Sequence, residues 1–214
     1  MKKRKSLSVL KEIPADIPLR EFFVDWMNVP AHQFRRFRKC LSTAKREEEL
    51  QSFLAENPWL LAVQLAGGHG RWVIPKKRLG AELVPDFLVG ERSSAGFEWF
   101  VVELKSPKAK MFTKAGDPSK YLNRAISQIH ACRNWLETHQ NYAAQPPTEG
   151  GLGLTDISAR LDGLILIGRS IDIDESTNGR RREIARSDRI RIHSYDWLLG
   201  SGQLTNLPVR RIAD

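Results

Sequence analysis

The chain has 214 residues, 41% of them hydrophobic and six of them Trp, which suffices for one domain with a real core and an appendage. Lys and Arg number 34 against 25 Asp and Glu, so the net charge of +9 points to polyanionic partners without choosing a fold. Two Cys without a CxxC, and five His without HxxH or HxxxH spacing, exclude a disulfide framework and a Cys or His zinc site and fit a reducing cytoplasm.

Residues 1–18 read as a basic, Pro-broken tail. Met1–Lys5 is followed by Lys11, Glu12 and Pro14, so no apolar signal region forms. No apolar run reaches the roughly 18 residues of a membrane span. Leu19, Phe22, Phe23 and Trp26 then fall at i, i+3, i+4 and i+7, the stripe of an amphipathic helix that Pro30 ends. A second short helix is expected with Phe34, Phe37 and Leu41 on one side and Arg35, Arg36, Arg38 and Lys39 on the other. Thr43 suits the N-cap of a third, carrying Leu50, Phe53 and Leu54 and stopped near Pro58.

The period then changes. Arg71–Pro75, Leu83–Val89 and Phe97–Leu104 read as strands, with Glu91–Gly96 as a polar hairpin loop between the last two. Lys105–Asp117 reads as a basic, irregular connection. Ser119–Thr138 returns to helical period with Tyr121, Leu122, Ala125, Ile129, Cys132 and Leu136 on one face. Gln140–Thr155 is a Pro- and Gly-bearing loop. Leu161–Ile167 is a continuous apolar strand. Asp172–Arg189 is a charged loop with a helical piece and Arg180–Arg182 as a basic stretch. Arg189–Ser194 is a last strand, and Tyr195–Leu199 a short helix or turn. The order of helix, three strands, helix, strand, strand makes an α/β protein with a mixed sheet.

Asp86 stands in an apolar strand, where an ionised carboxylate needs a partner. Glu103 and Lys105 end the next strand, two residues and about 6.6 Å apart on one face, with Leu104 pointing the other way. If the two strands pair through the short hairpin, three charged groups converge. Two carboxylates supply hard oxygen ligands for Mg²⁺ or Mn²⁺, and an ammonium beside them can orient water or stabilise a phosphoryl transition state. The alternative is an ion-pair cluster that merely ends two strands.

Pro85-Asp86 followed by Glu103-Leu104-Lys105 resembles the PD-(D/E)xK nuclease signature. The run Glu47-x-x-Leu50-Gln51-x-Phe53-Leu54-x-x-Asn57-Pro58, then VPDF, VVELKSP, Ala125-x-x-Gln128, Ile167-Gly168-Arg169 and Ser194-Tyr195-Asp196-x-Leu198-Leu199 is similar to the nuclease domain of the Shedu antiphage defence family. The resemblance spans about residues 43–200. It implies a restriction-endonuclease-like αβββαβ core over 43–214, with a basic helical extension over 1–42 that is shorter than the N-terminal regions many such proteins carry. It further implies a metal-dependent DNA endonuclease whose products carry 5′-phosphate. On that resemblance Asp86 and Glu103 are the metal ligands, with a contact from the Leu104 carbonyl, and Lys105 is the catalytic lysine. Glu47 matches the glutamate of the first helix, with Glu48 and Glu49 as alternatives, or is an acid complementing the helix dipole. Gln128 matches a helix glutamine that accompanies such sites, or is a boundary polar residue. A homo-oligomer is implied too.

Around this site Lys76, Lys77, Arg78, Lys108, Lys110 and Lys114 are expected to touch the DNA backbone, which positions a duplex without reading bases. The Arg35–Lys39 run is either a phosphate contact or a solvated helix face. Trp59, Trp72, Trp99, Trp135 and Trp197 are expected in the core, and His130 at a boundary. Gly67-Gly68-His69-Gly70 lacks the Gly-Lys-Ser/Thr of a phosphate-binding loop, so no nucleotide cofactor is expected. A different class stays open: a gated or non-catalytic DNA-binding or scaffold protein that keeps the nuclease fold.

Overall fold

The computed structural model describes residues 19–26, 29, 31–66, 68–81 and 83–204. The basic tail and Pro30 lie outside them. Five strands form one mixed sheet in the order β1 (Gly70–Pro75), β2 (Phe87–Ser93), β3 (Gly96–Leu104), β4 (Asp162–Leu166) and β5 (Ile190–His193). The first three are an antiparallel meander, and β3, β4 and β5 run parallel. Parallel neighbours need crossovers, and helices supply them. Before the sheet come α1 (Ala31–Thr43), α2 (Glu47–Glu56) and α3 (Trp59–Ala62). Then α4 (Lys120–Ala144) joins β3 to β4, α5 (Glu175–Ser187) joins β4 to β5, and α6 (Trp197–Leu204) follows.

Side chains alternate across a strand, so each face of the sheet collects every second residue. Trp99 and Val101 join Leu88, Ile165 and Ile192 against Leu122, Ala125, Ile129, Cys132 and Leu136 of α4. Phe100, Val102 and Leu104 join Phe87, Val89 and Leu166 on the other face, against Phe37, Leu50, Leu54 and Leu198. Both faces are covered, which is why β4 reads as one apolar run. At the free edge of β5, Arg181 of α5 donates through Nε to the Ile192 carbonyl (2.6 Å) and through Nη1 to Asn178 Oδ1 (2.8 Å).

Several sequence expectations are corrected. The Leu19–Trp26 stripe forms only one 3₁₀ turn, Arg20–Phe22. Phe23 then bridges to Trp72, and the Val24 N–H donates to the Arg71 carbonyl (2.9 Å), because pairing against β1 outweighs a helix too short to nucleate alone. Thr43 ends α1, its hydroxyl turned back to the Lys39 and Cys40 carbonyls, and Glu49 caps α2 by accepting the Arg46 N–H (3.2 Å). The Leu83–Val89 strand begins only at Phe87, so Asp86 sits at its mouth rather than inside it. Pairing continues through Ser93 and Gly96, which shortens the expected hairpin loop to Ser94 and Ala95. The α4 helix runs past Thr138 to Ala144 through a non-helical His139. Asp174 caps Glu175–Ser187, accepting the Thr177 N–H (2.7 Å), so Arg180–Arg182 are helical rather than loop. Trp72 and Trp99 are core residues and His130 stands at a boundary, both as expected, whereas Trp59, Trp135 and Trp197 are only half-buried, packed against the cores.

Gly168, just after β4, has φ +68°, and a Cβ there would lie 2.5 Å from the Ala109 carbonyl oxygen. Gly168→Ala is expected to cost at least about 1–2 kcal/mol from the left-handed backbone alone. A lowered urea midpoint at unchanged m-value checks it.

Among the described residues no helix is long and apolar enough to cross a membrane.

Candidate active site

The register of β2 with β3 decides which charged groups meet. Phe87 opposes Val102, so Asp86, one residue earlier, falls opposite Glu103, one residue later. By alternation both lie on the α4 face, with Leu88 and Val101. Asp86 is 6% exposed and Glu103 is 1% exposed. Asp86 Oδ2 accepts the Leu104 N–H (2.7 Å), and its Oδ1 accepts a hydrogen bond from Lys76 Nζ (2.5 Å). Leu104 itself turns its side chain into the opposite core.

Lys105 is 5% exposed. Its N–H extends the β3–β4 ladder to the Leu166 carbonyl (2.8 Å), and its own carbonyl accepts from the Tyr195 hydroxyl (2.9 Å). Its ammonium lies 3.4 Å from Glu103 Oε2 and 3.9 Å from Glu47 Oε1. Glu47 is therefore the glutamate of the first helix that reaches the cluster. Glu48 is exposed, and Glu49 is the cap of α2. Gln128 of α4 and Glu103 line one cavity of about 380 Å³, with Pro85, Arg124, Ser127 and Cys132.

Electrostatics mark Glu103 as the anomalous group. Burial pushes its carboxyl up to about 8, and the Asp86 charge adds to this against the opposing pull of Lys105 and Lys76. Its Oε1 is buried without a partner, as is Gln128 Oε1. Glu47 is also raised, first by burial, and Lys105 opposes the rise. Burial holds the Tyr195 hydroxyl protonated far above its ordinary range, with the Glu47 and Asp86 charges adding to it, which suits its role as a donor.

Two close carboxylates, one with an orphaned buried oxygen, fit a hard divalent cation. Among the described residues no group of three or more His, Cys, Asp or Glu forms a complete metal cage. A pair of carboxylates is nonetheless the usual protein share for Mg²⁺, which keeps waters and takes oxygens from substrate phosphate.

The Glu103 shift has a consequence for stability. An unfolded glutamate ionises near 4.5, so between about 4.5 and 8 the unfolded chain releases a proton that the folded site retains. Stability from this group is present at low pH and is lost as pH rises through that window. Glu103→Gln, which cannot ionise, is expected to gain on wild type as pH rises from 5 to 8 in metal-free buffer. The gain is on the order of a few kcal/mol. Urea unfolding at a series of pH values checks it, and a constant difference between the two proteins contradicts it.

The expected DNA contacts divide. Lys108, Lys110 and Lys114 are exposed on the connection after Lys105 and make no ion pair among the described residues. Arg78 is exposed and donates to the Ala81 carbonyl (2.8 Å). Lys77 is half-buried, and burial lowers its ammonium. Lys76 instead faces Asp86 directly. Sequence reasoning missed that contact, as well as Tyr195 beneath Lys105. Nor did it pair Arg169 with Asp196, whose carboxylate accepts from Arg169 Nη2 (2.9 Å) and Nε (3.0 Å) and from the Ser170 N–H (2.7 Å). The IGR and SYD stretches were legible as motifs, and each turns out to hold the other.

The family model described as Shedu protein SduA, C-terminal, matches residues 44–199. No curated protein matches the chain.

Proposed function

This chain belongs to the Shedu family, which implies a role in antiphage defence, and from that premise we propose that it is a Mg²⁺- or Mn²⁺-dependent DNA endonuclease on a PD-(D/E)xK core. One observation carries the reading: Asp86, Glu103 and Lys105 meet at the mouth of β2 and the end of β3, and Glu103 keeps a buried oxygen without a partner.

Asp86 and Glu103 would hold the cation. A cation there supplies Lewis acidity toward a phosphoryl oxygen and lowers the pKa of water. The chain's own residues do the rest. The Lys105 main chain is fixed from two sides, by the ladder bond of its N–H and by the Tyr195 hydroxyl on its carbonyl, so the side chain springs from a rigid anchor beside the proposed site of developing negative charge. Glu47 and Glu103 keep the Lys105 ammonium oriented. Gln128 offers a side-chain amide at the wall of the same cavity. Lys108, Lys110 and Lys114 are exposed on the segment that leaves Lys105 and would contact the DNA backbone.

The test is cleavage of plasmid and linear DNA in Mg²⁺, Mn²⁺ and EDTA. Cutting that EDTA abolishes supports the reading. Salt-sensitive DNA binding without cutting in any metal moves it to a gated or non-catalytic DNA binder.

A further inference from the structure

We propose that Lys76 is an internal counter-cation for Asp86, seated where a divalent cation must bind, so that metal loading displaces it. This rests on the reading of Asp86 and Glu103 as the metal-holding pair.

Lys76 follows β1 and has φ +49°, a conformation that side chains other than glycine seldom adopt. It is tied to Asp86 twice. Its N–H donates to the Asp86 backbone carbonyl (3.0 Å), and its Nζ donates to Asp86 Oδ1 (2.5 Å). The left-handed turn at Lys76 is what lets main chain and side chain meet the same residue. Asp86 Oδ2 is taken by the Leu104 N–H, so the ammonium covers the oxygen that no backbone donor holds.

A Mg²⁺ ligand oxygen lies at about 2.0–2.1 Å from the metal. An ammonium on that same oxygen would stand within a few ångströms of the divalent charge. In a largely buried site the repulsion is weakly screened. One of the two cations must leave. The two lysines differ in how easily they can do so. Lys105 is buried and held through its backbone, and it addresses Glu103 and Glu47 rather than Asp86. The Lys76 side chain is 50% exposed against 8% for its Asp86 partner, so it can swing into water without stranding a buried charge. Without either cation, Asp86 would be a buried carboxylate short of a counter-charge, which is costly. Lys76 thus stabilises the metal-free protein and raises the metal concentration at which the site fills.

Mn²⁺ titration followed by electron paramagnetic resonance of the free ion tests this without DNA or turnover. Lys76→Met and Lys76→Gln are expected to lower the Mn²⁺ Kd by about tenfold or more, the effect of one nearby charge at a partly screened site. Lys76→Arg keeps the charge and is expected to stay near wild type. Metal-free Lys76→Met is expected to melt below wild type, with saturating Mn²⁺ closing the gap. Unchanged or weaker Mn²⁺ binding in both neutral variants overturns the proposal while leaving the metal site standing. Wild-type Mn²⁺ affinity in Asp86→Asn overturns the metal-holding pair itself, and this proposal with it. Tighter binding in Lys76→Met without DNA cleavage by any variant supports the counter-cation and counts against the nuclease reading alone.

Discussion

Lys105→Ala is expected to cleave plasmid DNA about a hundredfold to a thousandfold more slowly than wild type in Mg²⁺, the usual loss for one preorganised charge donor. Each tenfold is about 1.4 kcal/mol of transition-state stabilisation, so the loss is about 3–4 kcal/mol. Linear DNA should bind the variant nearly as well, because on the proposed reading the exposed lysines, not one buried ammonium, carry the phosphate contacts. Asp86→Asn should be at least as severe, since it removes a charge from the pair proposed to hold the cation. The backbone bonds to Leu166 and Tyr195 survive in Lys105→Ala because they do not involve the side chain, and a melting curve beside the cleavage assay separates the lost ion pairs to Glu103 and Glu47 from lost chemistry. Lys105→Ala cutting at the wild-type rate would refute the assignment of Lys105. Absence of cutting by wild type, with binding that falls steeply as salt rises, would instead favour a protein that holds DNA and is gated.

Phe87→Ala is expected to destabilise the fold by about 3–5 kcal/mol, the range for truncating a buried aromatic. Phe87 is fully buried and shares one core with Leu50, Leu54, Val102 and Leu104. A domain of ordinary stability has only about 5–15 kcal/mol to lose. The position also matters for the site. Phe87 opens β2 and anchors the residue beside it, Asp86, so the cavity left by Ala loosens one wall of the proposed cation site as well as the core. Urea unfolding should show a lower midpoint, and cleavage should fall in protein that remains folded. A midpoint within the scatter of wild type would mean that the neighbours collapse into the cavity.

The hydrophobic pattern made the sheet legible. β1, β3 and β4 stand where their apolar periods put them, because both faces of the sheet are buried and alternate residues feed two cores. The helix of α4 was legible from Leu122, Ala125, Ile129, Cys132 and Leu136 on one side. What failed was local and tertiary. The aromatic stripe from Leu19 to Trp26 has helical spacing, yet Phe23 and Trp26 pack on Trp72 and Arg71 from an extended chain. Spacing alone cannot report a partner about 50 residues away. The convergence of Asp86, Glu103 and Lys105 was legible because a short hairpin fixes register. Lys76 was legible only as a basic residue, since its role depends on a left-handed backbone that no local pattern of Lys76-Lys77-Arg78 reveals. Tyr195 carried no chemical signal either. Its hydroxyl matters only because β4 and β5 run parallel to β3 and deliver it beneath Lys105.

The guanidinium of Arg181 on the outer strand bears on how copies of this chain can associate. A bare outer strand invites another chain to add itself by backbone pairing. Here the Ile192 carbonyl is already accepting, and the same guanidinium is held by Asn178 and by His193 Nδ1. An incoming strand would have to strip that clamp away before its own ladder could begin. At the far margin of the sheet the Phe23–Val24 segment already pairs with β1. Among the described residues both margins thus carry a guard, which disfavours lateral growth of the sheet into a fibre or a strand-swapped dimer.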